Sequence, residues 1–431
     1  MSNAPITKPI QAVPEAASVH VPRRVSAVFW KLQAYGLVGI TFLSFFPRLS
    51  HSQEYAFFFL LAVALSLAWV ERINPWTRTP VDLPLIGFVG WVLCTVPFAI
   101  DPAYSFSEWR KLAAHVLVFY WAMFVLRRHG GIELSRLILW AVLLGSLLLS
   151  GFALVDFVLH GGTWRDRVVR AGAPNSDYNW LTTYLVLVIP ILIGWVMTHR
   201  TFGGRALGVL TLVMAGFAQV AAYTRAGWVA HFVQAIALGL IAGRQRLVMW
   251  VLVGAIAMGG GLLAVSEIGY QRGTIDPWTL SARVKTWQLG LHQVVQHPLV
   301  GVGYGNDTFL KIYTAEIEAD KGKGEVEKVL PALHNTFAMV LMGSGVPALV
   351  LFIWTLACAI RGLAIGARQP GLRETGLVLL STATMLAVVG FVARNVFDYM
   401  FAGSLATLFW ILVSLGFSIK DDRSLEKVGT E

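Results

Sequence analysis

The feature that most constrains this chain is a succession of long apolar segments that leaves little sequence for a water-soluble core. A helix needs roughly 20 apolar residues to cross the hydrocarbon core of a bilayer. Hydrophobic residues make up 56% of the 431 positions and charged residues only 13%, with a mean hydropathy of +0.65. A soluble domain carries about 25% charged residues. The sequence therefore predicts an all-α polytopic membrane protein.

The apolar segments predict about twelve transmembrane helices. Residues 1–28 are predicted to be a disordered tail, because they are rich in proline and lack the apolar core of a signal peptide. Spans 1–9 fall within 29–266, a loop domain covers 267–332, spans 10–12 fall within 333–418, and 419–431 form a second tail. The predicted spans are 29–46, 55–70, 83–100, 111–126, 134–158, 180–198, 205–223, 226–242, 246–266, 333–360, 374–393 and 400–418.

The distribution of lysine and arginine predicts the orientation of these spans, since short cytoplasmic loops carry an excess of both. With the amino terminus inside, every cytoplasmic segment holds at least two basic residues, so both termini are predicted to be cytoplasmic. Orientation also explains the net charge of +10 better than nucleic-acid binding does. It does not explain a group of arginines on the outer loops, for which an anionic ligand is the simplest reason. These are Arg165, Arg167, Arg170, Arg225 and Arg394.

The outer loop 267–332 is predicted to be structured. Apolar residues recur at helical spacing over 282–297, with Ser281 as the predicted cap, and a second helix is predicted over about 307–320. Between them, the glycine-rich stretch 301–305 has the wrong spacing for a dinucleotide fingerprint. We interpret it as a tight turn that lets the backbone approach the membrane rim or a ligand.

Five residues at the membrane surface are candidates for chemistry. His334 lies where the long loop re-enters the membrane, and a neutral imidazole there can take a proton from a hydroxyl; the alternative is an interfacial histidine that only hydrogen-bonds. Arg225 lies in a very short turn, and its alternative role is that of an interfacial anchor. Arg283 lies on the amphipathic helix, and the alternative is that it only forms part of a solvated face. Arg394 and Asp398 lie four residues apart, and the alternative for them is a helix-end ion pair.

The outer loops hold no Asp-x-Asp and no His/Cys cluster with ligand spacing, so no metal site is predicted. The two cysteines, Cys94 and Cys358, fall inside predicted spans. We interpret both as small buried hydrophobic residues rather than as a disulfide.

Three motifs occur in order along the chain: Thr224-Arg225-Ala226-Gly227-Trp228, then Arg283 and Trp287 before His297-Pro298-Leu299-x-Gly301-x-Gly303, then Leu333-His334-Asn335-Thr336-Phe337. Taken together they resemble the O-antigen ligase family, whose superfamily also holds O-antigen polymerases and bacterial O-linked oligosaccharyltransferases. The resemblance is specific in residues 220–345 and extends to the topology of the whole chain. The family usually has Ser-Arg-Gly where this chain has Thr-Arg-Ala at 224–226.

The resemblance implies a GT-C-type glycosyltransferase of the bacterial inner membrane, with a periplasmic loop domain over the active site and no metal or nucleotide cofactor. It implies a glycan donor on undecaprenyl diphosphate and a sugar hydroxyl of lipid A-core as the acceptor. His334 matches the family's histidine, and Arg225 and Arg283 match its arginines. We expect Arg170 to be a further donor-binding residue. Further candidates for lining the same cavity are Arg394, Asp398 and Asn335.

Three alternative functions stay open at this point. A polymerase shares the donor chemistry and extends the glycan on its own carrier lipid. A protein O-oligosaccharyltransferase uses a protein acceptor. A non-enzymatic transporter of the lipid-linked glycan also needs cations for the diphosphate but does not need the histidine. Each of these functions involves membrane lipids and none involves nucleic acid.

Overall fold

The computed structural model describes residues 23–129, 132–163, 169–174, 177–244, 246, 278–319, 329–367 and 377–420. Within these ranges the chain forms helices and no β-strand. The helices are α1 (Arg23–Leu43), α2 (Ser50–Val70), α3 (Asp82–Thr95), α4 (Pro102–His129), α5 (Ile132–Leu159), α6 (Tyr178–Thr198), α7 (Phe202–Ala221), α8 (Arg225–Ile241), α9 (Trp278–Gln296), α10 (Thr308–Ile312), α11 (Thr314–Ala319), α12 (Thr336–Gly366), α13 (Leu377–Asn395) and α14 (Gly403–Lys420).

Seven helices within the described ranges, α1, α2, α4, α5, α6, α7 and α12, are long and apolar enough to cross a membrane. Shorter apolar helices coincide with α3, α8, α13 and α14. Each of these overlaps a predicted span, so the prediction of an all-α polytopic membrane protein is confirmed. The predicted span 246–266 lies almost wholly outside the described residues, and the total of twelve spans stays a prediction.

Two helices run through the centre of the bundle. In α14 nearly every side chain from Leu405 to Phe417 is buried, and α6 is buried from Leu181 to Trp195 almost without interruption. Their side chains are therefore covered by other helices of the bundle rather than by lipid. The Tyr184 hydroxyl of α6 hydrogen-bonds to the Ser404 hydroxyl of α14 at 2.7 Å and thereby joins the two central helices.

Several connecting segments meet at one end of the bundle, which we call the site face: residues 96–101, 169–174, 222–224, 278–319, 329–335 and 396–402. Backbone hydrogen bonds join these segments to one another and to the end of α7. Ile100 N donates to Val302 O at 2.9 Å, and Ala171 N donates to Ala221 O at 3.0 Å. Helix α9 packs against α12, so the long loop lies on the bundle rather than apart from it.

A break in α12 receives part of this loop. Gly345 has φ +79 inside the helix, which leaves carbonyls of the preceding turn without helical partners. Val302 N donates to Met342 O at 3.0 Å and Gly303 N donates to Gly343 O at 2.9 Å, so the loop satisfies them. Irregular backbone at membrane depth requires such replacement partners. The sequence predicts that the backbone at 301–305 approaches the membrane rim or a ligand, and in the structure the backbone that it approaches is that of α12.

Three details of the sequence-based predictions are wrong. Helix α9 begins at Trp278, directly after Pro277, so Ser281 lies inside the helix and is not its cap. The predicted helix over 307–320 is divided into α10 and α11, because Tyr313 turns inward and its hydroxyl donates to Leu289 O at 2.9 Å. The two cysteines are not fully buried: Cys94 is exposed on α3, and Cys358 on α12 is partly exposed.

Candidate active site

His334 is held by its two neighbours in a left-handed backbone conformation, with φ +48. On one side, the Trp287 indole of α9 donates to Leu333 O at 2.7 Å. On the other, the Asn335 side chain caps α12 by accepting from Ala338 N at 3.0 Å. A non-glycine residue with positive φ costs roughly 1–3 kcal/mol and persists only where its surroundings impose it. The backbone around His334 is therefore set from both directions.

The imidazole of His334 is paired with a carboxylate. Its Nδ1 lies 2.8 Å from Asp398 Oδ1, while the side chain as a whole is 33% exposed. An ionised carboxylate can only accept a hydrogen bond, so Nδ1 is the donor. In the neutral imidazole this leaves Nε2 as a proton acceptor.

Asp398 is buried in the connection between α13 and α14, and its second oxygen accepts from Arg394 NH2 at 3.3 Å. Burial on its own raises the pKa of the Asp398 carboxyl. The hydrogen bond from His334 and the charges of Arg394 and Arg283 outweigh this effect and hold the pKa below its usual range. The group is therefore a carboxylate at neutral pH.

A second set of polar contacts fixes the segment that carries Asp398. The Thr336 hydroxyl donates to Asn395 Oδ1 at 2.7 Å and lies 3.1 Å from Asp398 O. The same Asn395 oxygen accepts from Met400 N at 3.1 Å. The first residue of α12 thus holds the connection between α13 and α14 against the end that carries His334.

Arg394 is fully buried, at 0% exposure, in the last turn of α13. Besides Asp398, its NH2 group donates to Asn179 Oδ1 at 2.9 Å in the first turn of α6. That turn is capped by Asp177, which accepts from Asn179 N and Trp180 N, each at 3.0 Å. Within the described part of the chain, Arg394 Nε and NH1 have no hydrogen-bond partner.

Of the other predicted arginines, Arg165 and Arg167 lie outside the described residues, and Arg283, Arg225 and Arg170 lie at the site face. Arg283, on α9, is half-buried, its Nε has no hydrogen-bond partner in the described part of the chain, and its charge acts on both Asp398 and Arg394. Arg225 is exposed at the first position of α8. Arg170 is exposed, with its guanidinium 4.5 Å from the centre of the Tyr178 ring.

The Thr-Arg-Ala-Gly-Trp motif places Arg225 through close helix packing. A Cβ atom at Gly227 would overlap the Thr182 methyl group of α6 and the Gln219 amide of α7. Only glycine lets α8 approach these two helices so closely. Ala171 N bonds to Ala221 O at the end of α7, so the segment with Arg170 is tied to the turn that leads to Arg225.

The structure brings His334, Asp398, Arg394 and Arg283 together and places Arg225 and Arg170 on the same face. Asn335 serves as a helix cap. The sequence-based interpretation missed Asn179, Thr336 and Asn395. Their partners lie 215, 59 and 59 residues away in the chain, and only the capping signal of Asp177 just before α6 marked that region locally. Among the described residues no group of three or more His, Cys, Asp or Glu could hold a metal ion.

The fold and the site together define a multi-pass helical membrane protein with a His–Asp–Arg cluster, whose aspartate and arginine are buried, at one end of its bundle. Residues 210–353 match the family model described as O-antigen ligase. The chain is also similar to the O-antigen ligase of Pseudomonas aeruginosa, with 21% identity over 341 residues, which are 77% of this chain and 76% of that protein. Both findings support membership of the O-antigen ligase family, as the motifs in 220–345 predict.

Proposed function

We propose that this protein is an O-antigen ligase that transfers a glycan from undecaprenyl diphosphate to a sugar hydroxyl of lipid A-core at the periplasmic face of the inner membrane. The observation that supports the proposal is the 2.8 Å bond between His334 Nδ1 and Asp398 Oδ1, which orients the His334 imidazole at the site face. The family match and the nearby arginines support the same reaction class.

In the proposed reaction, His334 Nε2 takes the proton from the acceptor hydroxyl as its oxygen attacks the anomeric carbon of the donor sugar. The bond between that carbon and the phosphate oxygen breaks, and the diphosphate leaves with the electron pair. One displacement inverts the anomeric configuration. The charge that the departing diphosphate carries is stabilised by arginines, so the leaving group needs neither a protonating acid nor a metal.

We assign donor binding to Arg225 and Arg283, with Arg170 as a further contact. A planar guanidinium donates two parallel hydrogen bonds to phosphate oxygens, which suits the diphosphate. Arg225 and Arg170 are exposed, so a lipid-borne ligand reaches them without unfolding the site face.

The test uses purified protein, a glycan on undecaprenyl diphosphate, lipid A-core and a chelator, with products separated on a gel. The proposal expects glycan on lipid A-core in the presence of the chelator. It expects His334→Ala to lose roughly 10²–10⁴-fold in transfer rate while remaining folded in detergent.

Each other outcome replaces the proposal with a different function. A longer glycan on the carrier lipid indicates a polymerase, and transfer to an added protein acceptor but not to lipid A-core indicates a protein O-oligosaccharyltransferase. Movement of the donor across vesicle membranes with no covalent product, unaffected by His334→Ala, indicates a transporter.

A further inference from the structure

We propose that Arg394 is a positioning residue that holds one oxygen of Asp398 and thereby presents the other oxygen to His334. The inference rests on the proposed function and adds a part to it. It assigns Arg394 to the base side of the reaction rather than to the binding of the donor diphosphate.

Burial separates Arg394 from the other arginines of the site. Its side chain is 0% exposed, whereas Arg225 and Arg170 are exposed at the site face. A phosphate oxygen of the donor therefore does not reach Arg394 in this conformation. What Arg394 does reach is protein: Asp398 Oδ2 at 3.3 Å and Asn179 Oδ1 at 2.9 Å.

The pairing divides the Asp398 carboxylate between two partners. Oδ2 accepts from Arg394 and Oδ1 accepts from His334 Nδ1 at 2.8 Å. With one oxygen held from α13, the carboxylate plane is fixed, and the imidazole that bonds to the other oxygen is fixed with it. Asn179 holds the guanidinium from the α6 side, so three elements set the orientation of one histidine.

A purely structural ion pair is a weaker account of the same geometry. Removing a guanidinium from water is costly unless its donors are used, and here Nε and NH1 have no partner within the described chain. Buried ion pairs are often replaceable by apolar residues without loss of stability. An incompletely bonded charge retained beside the proposed base is better explained by its effect on Asp398.

The proposal predicts a change in pH dependence. The groups that face Asp398 are His334 at the start of α12, Arg394 from α13 and Arg283 from α9, while Asp177 at the start of α6 faces Arg394. Without Arg394, burial still raises the Asp398 pKa and one opposing charge is gone. Losing one positive charge favours protonation of the His334–Asp398 pair, so the pair takes up a proton at a higher pH and the acid limb of the rate profile moves upward.

The experiment measures transfer kinetics from pH 5 to 9 for the full-length wild type, Arg394→Gln, Asp398→Asn and the double variant, with Arg170→Gln as the matched control. We expect Arg394→Gln to lower kcat roughly 10–100-fold, with the donor KM nearly unchanged and the acid limb shifted upward. When Asp398→Asn is already present, adding Arg394→Gln should lower kcat about twofold or less. Arg170→Gln should instead raise the donor KM.

Two results would overturn the proposal. One is that Arg394→Gln lowers kcat equally in the wild type and in Asp398→Asn. The other is that Arg394→Gln raises the donor KM and leaves kcat unchanged. If Arg394→Gln misfolds, the double variant decides, because it removes both buried charges. A folded double variant as active as Asp398→Asn supports the positioning role, and a misfolded one shows that Arg394 is structural. Failure of the wild type to form any product refutes the proposed function instead.

Discussion

At the scale of single residues, the Asp398 carboxylate decides which nitrogen of His334 is free. We expect Asp398→Asn to lower kcat about 10²–10⁴-fold with little change in the donor KM, because the amide nitrogen donates to Nδ1 and favours the tautomer with the proton on Nε2. Steady-state kinetics on purified protein check this.

The chain offers a matched control for that variant. Asp156 and His160 form a second carboxylate–imidazole pair, with 3.3 Å between Asp156 Oδ1 and His160 Nδ1, at the exposed end of α5. Asp156→Asn should leave transfer unchanged. A comparable loss from both variants would mean that the carboxylate of Asp398 has no special role.

The sequence predicts the candidate residues better than it predicts their connections. Arg394 and Asp398 lie four apart, a spacing that predicts an ion pair, and the Leu-His-Asn-Thr-Phe motif marks His334. The bond from Arg394 to Asn179 joins residues 215 apart, and no local pattern encodes it. Polar contacts between distant helices depend on how the helices pack, which a single sequence does not specify.

At the scale of elements, the break in α12 depends on glycines. A Cβ at Gly345 would overlap Leu299 O, and φ there is +79. We expect Gly345→Ala to cost roughly 1–3 kcal/mol or more of stability and to reduce transfer, because the loop and the helix that starts beside His334 no longer fit together. Thermal unfolding in detergent and the transfer assay measure the two effects.

Gly216 provides the control for this glycine. It lies within α7, and a Cβ added there would meet no neighbouring atom within 4 Å. Gly216→Ala should therefore be neutral or slightly stabilising, since alanine favours a helix over glycine by roughly 0.5–1 kcal/mol. Equal destabilisation by both variants would argue against the loop contact as the cause.

Gly227 controls a different property, the position of Arg225. With a methyl group at 227, α8 must move away from Thr182 and Gln219 and carry Arg225 with it. We expect Gly227→Ala to raise the donor KM several-fold, since a diphosphate contact is displaced, with a smaller effect on kcat. Kinetics at varied donor concentration test this, and a fall in kcat alone would contradict the assignment of Arg225 to the donor.

Helix positions were predictable because apolar length is a strong signal, and α1 to α8 and α12 to α14 each match a predicted span. The break at Gly345 was not predictable from the sequence. The apolar run continues through it and predicts a single span over 333–360. The break exists because backbone groups of a separate loop take the place of the helical hydrogen bonds. Hydropathy describes side chains and carries no information about such backbone exchange.

At the scale of the whole molecule, orientation decides which membrane leaflet the site can serve. The positive-inside distribution predicts that the site face is periplasmic. We expect a cysteine at His51, exposed at the start of α2 on the site-face side, to react with an impermeant maleimide in intact cells. A cysteine at Asn74, exposed between α2 and α3 at the opposite end, should react only after permeabilisation.

The two native cysteines are replaced first, since Cys94 is exposed and Cys358 is partly so, and each variant must retain transfer activity to be informative. Labelling of Asn74→Cys but not of His51→Cys in intact cells would place His334 and its arginines in the cytoplasm. A periplasmic acceptor would then be unreachable, and the ligase proposal would fail however well the site is built. The expected pattern instead places His334, the buried Asp398 carboxylate and the exposed arginines on the side where the proposed reaction needs its lipid-linked donor and lipid acceptor.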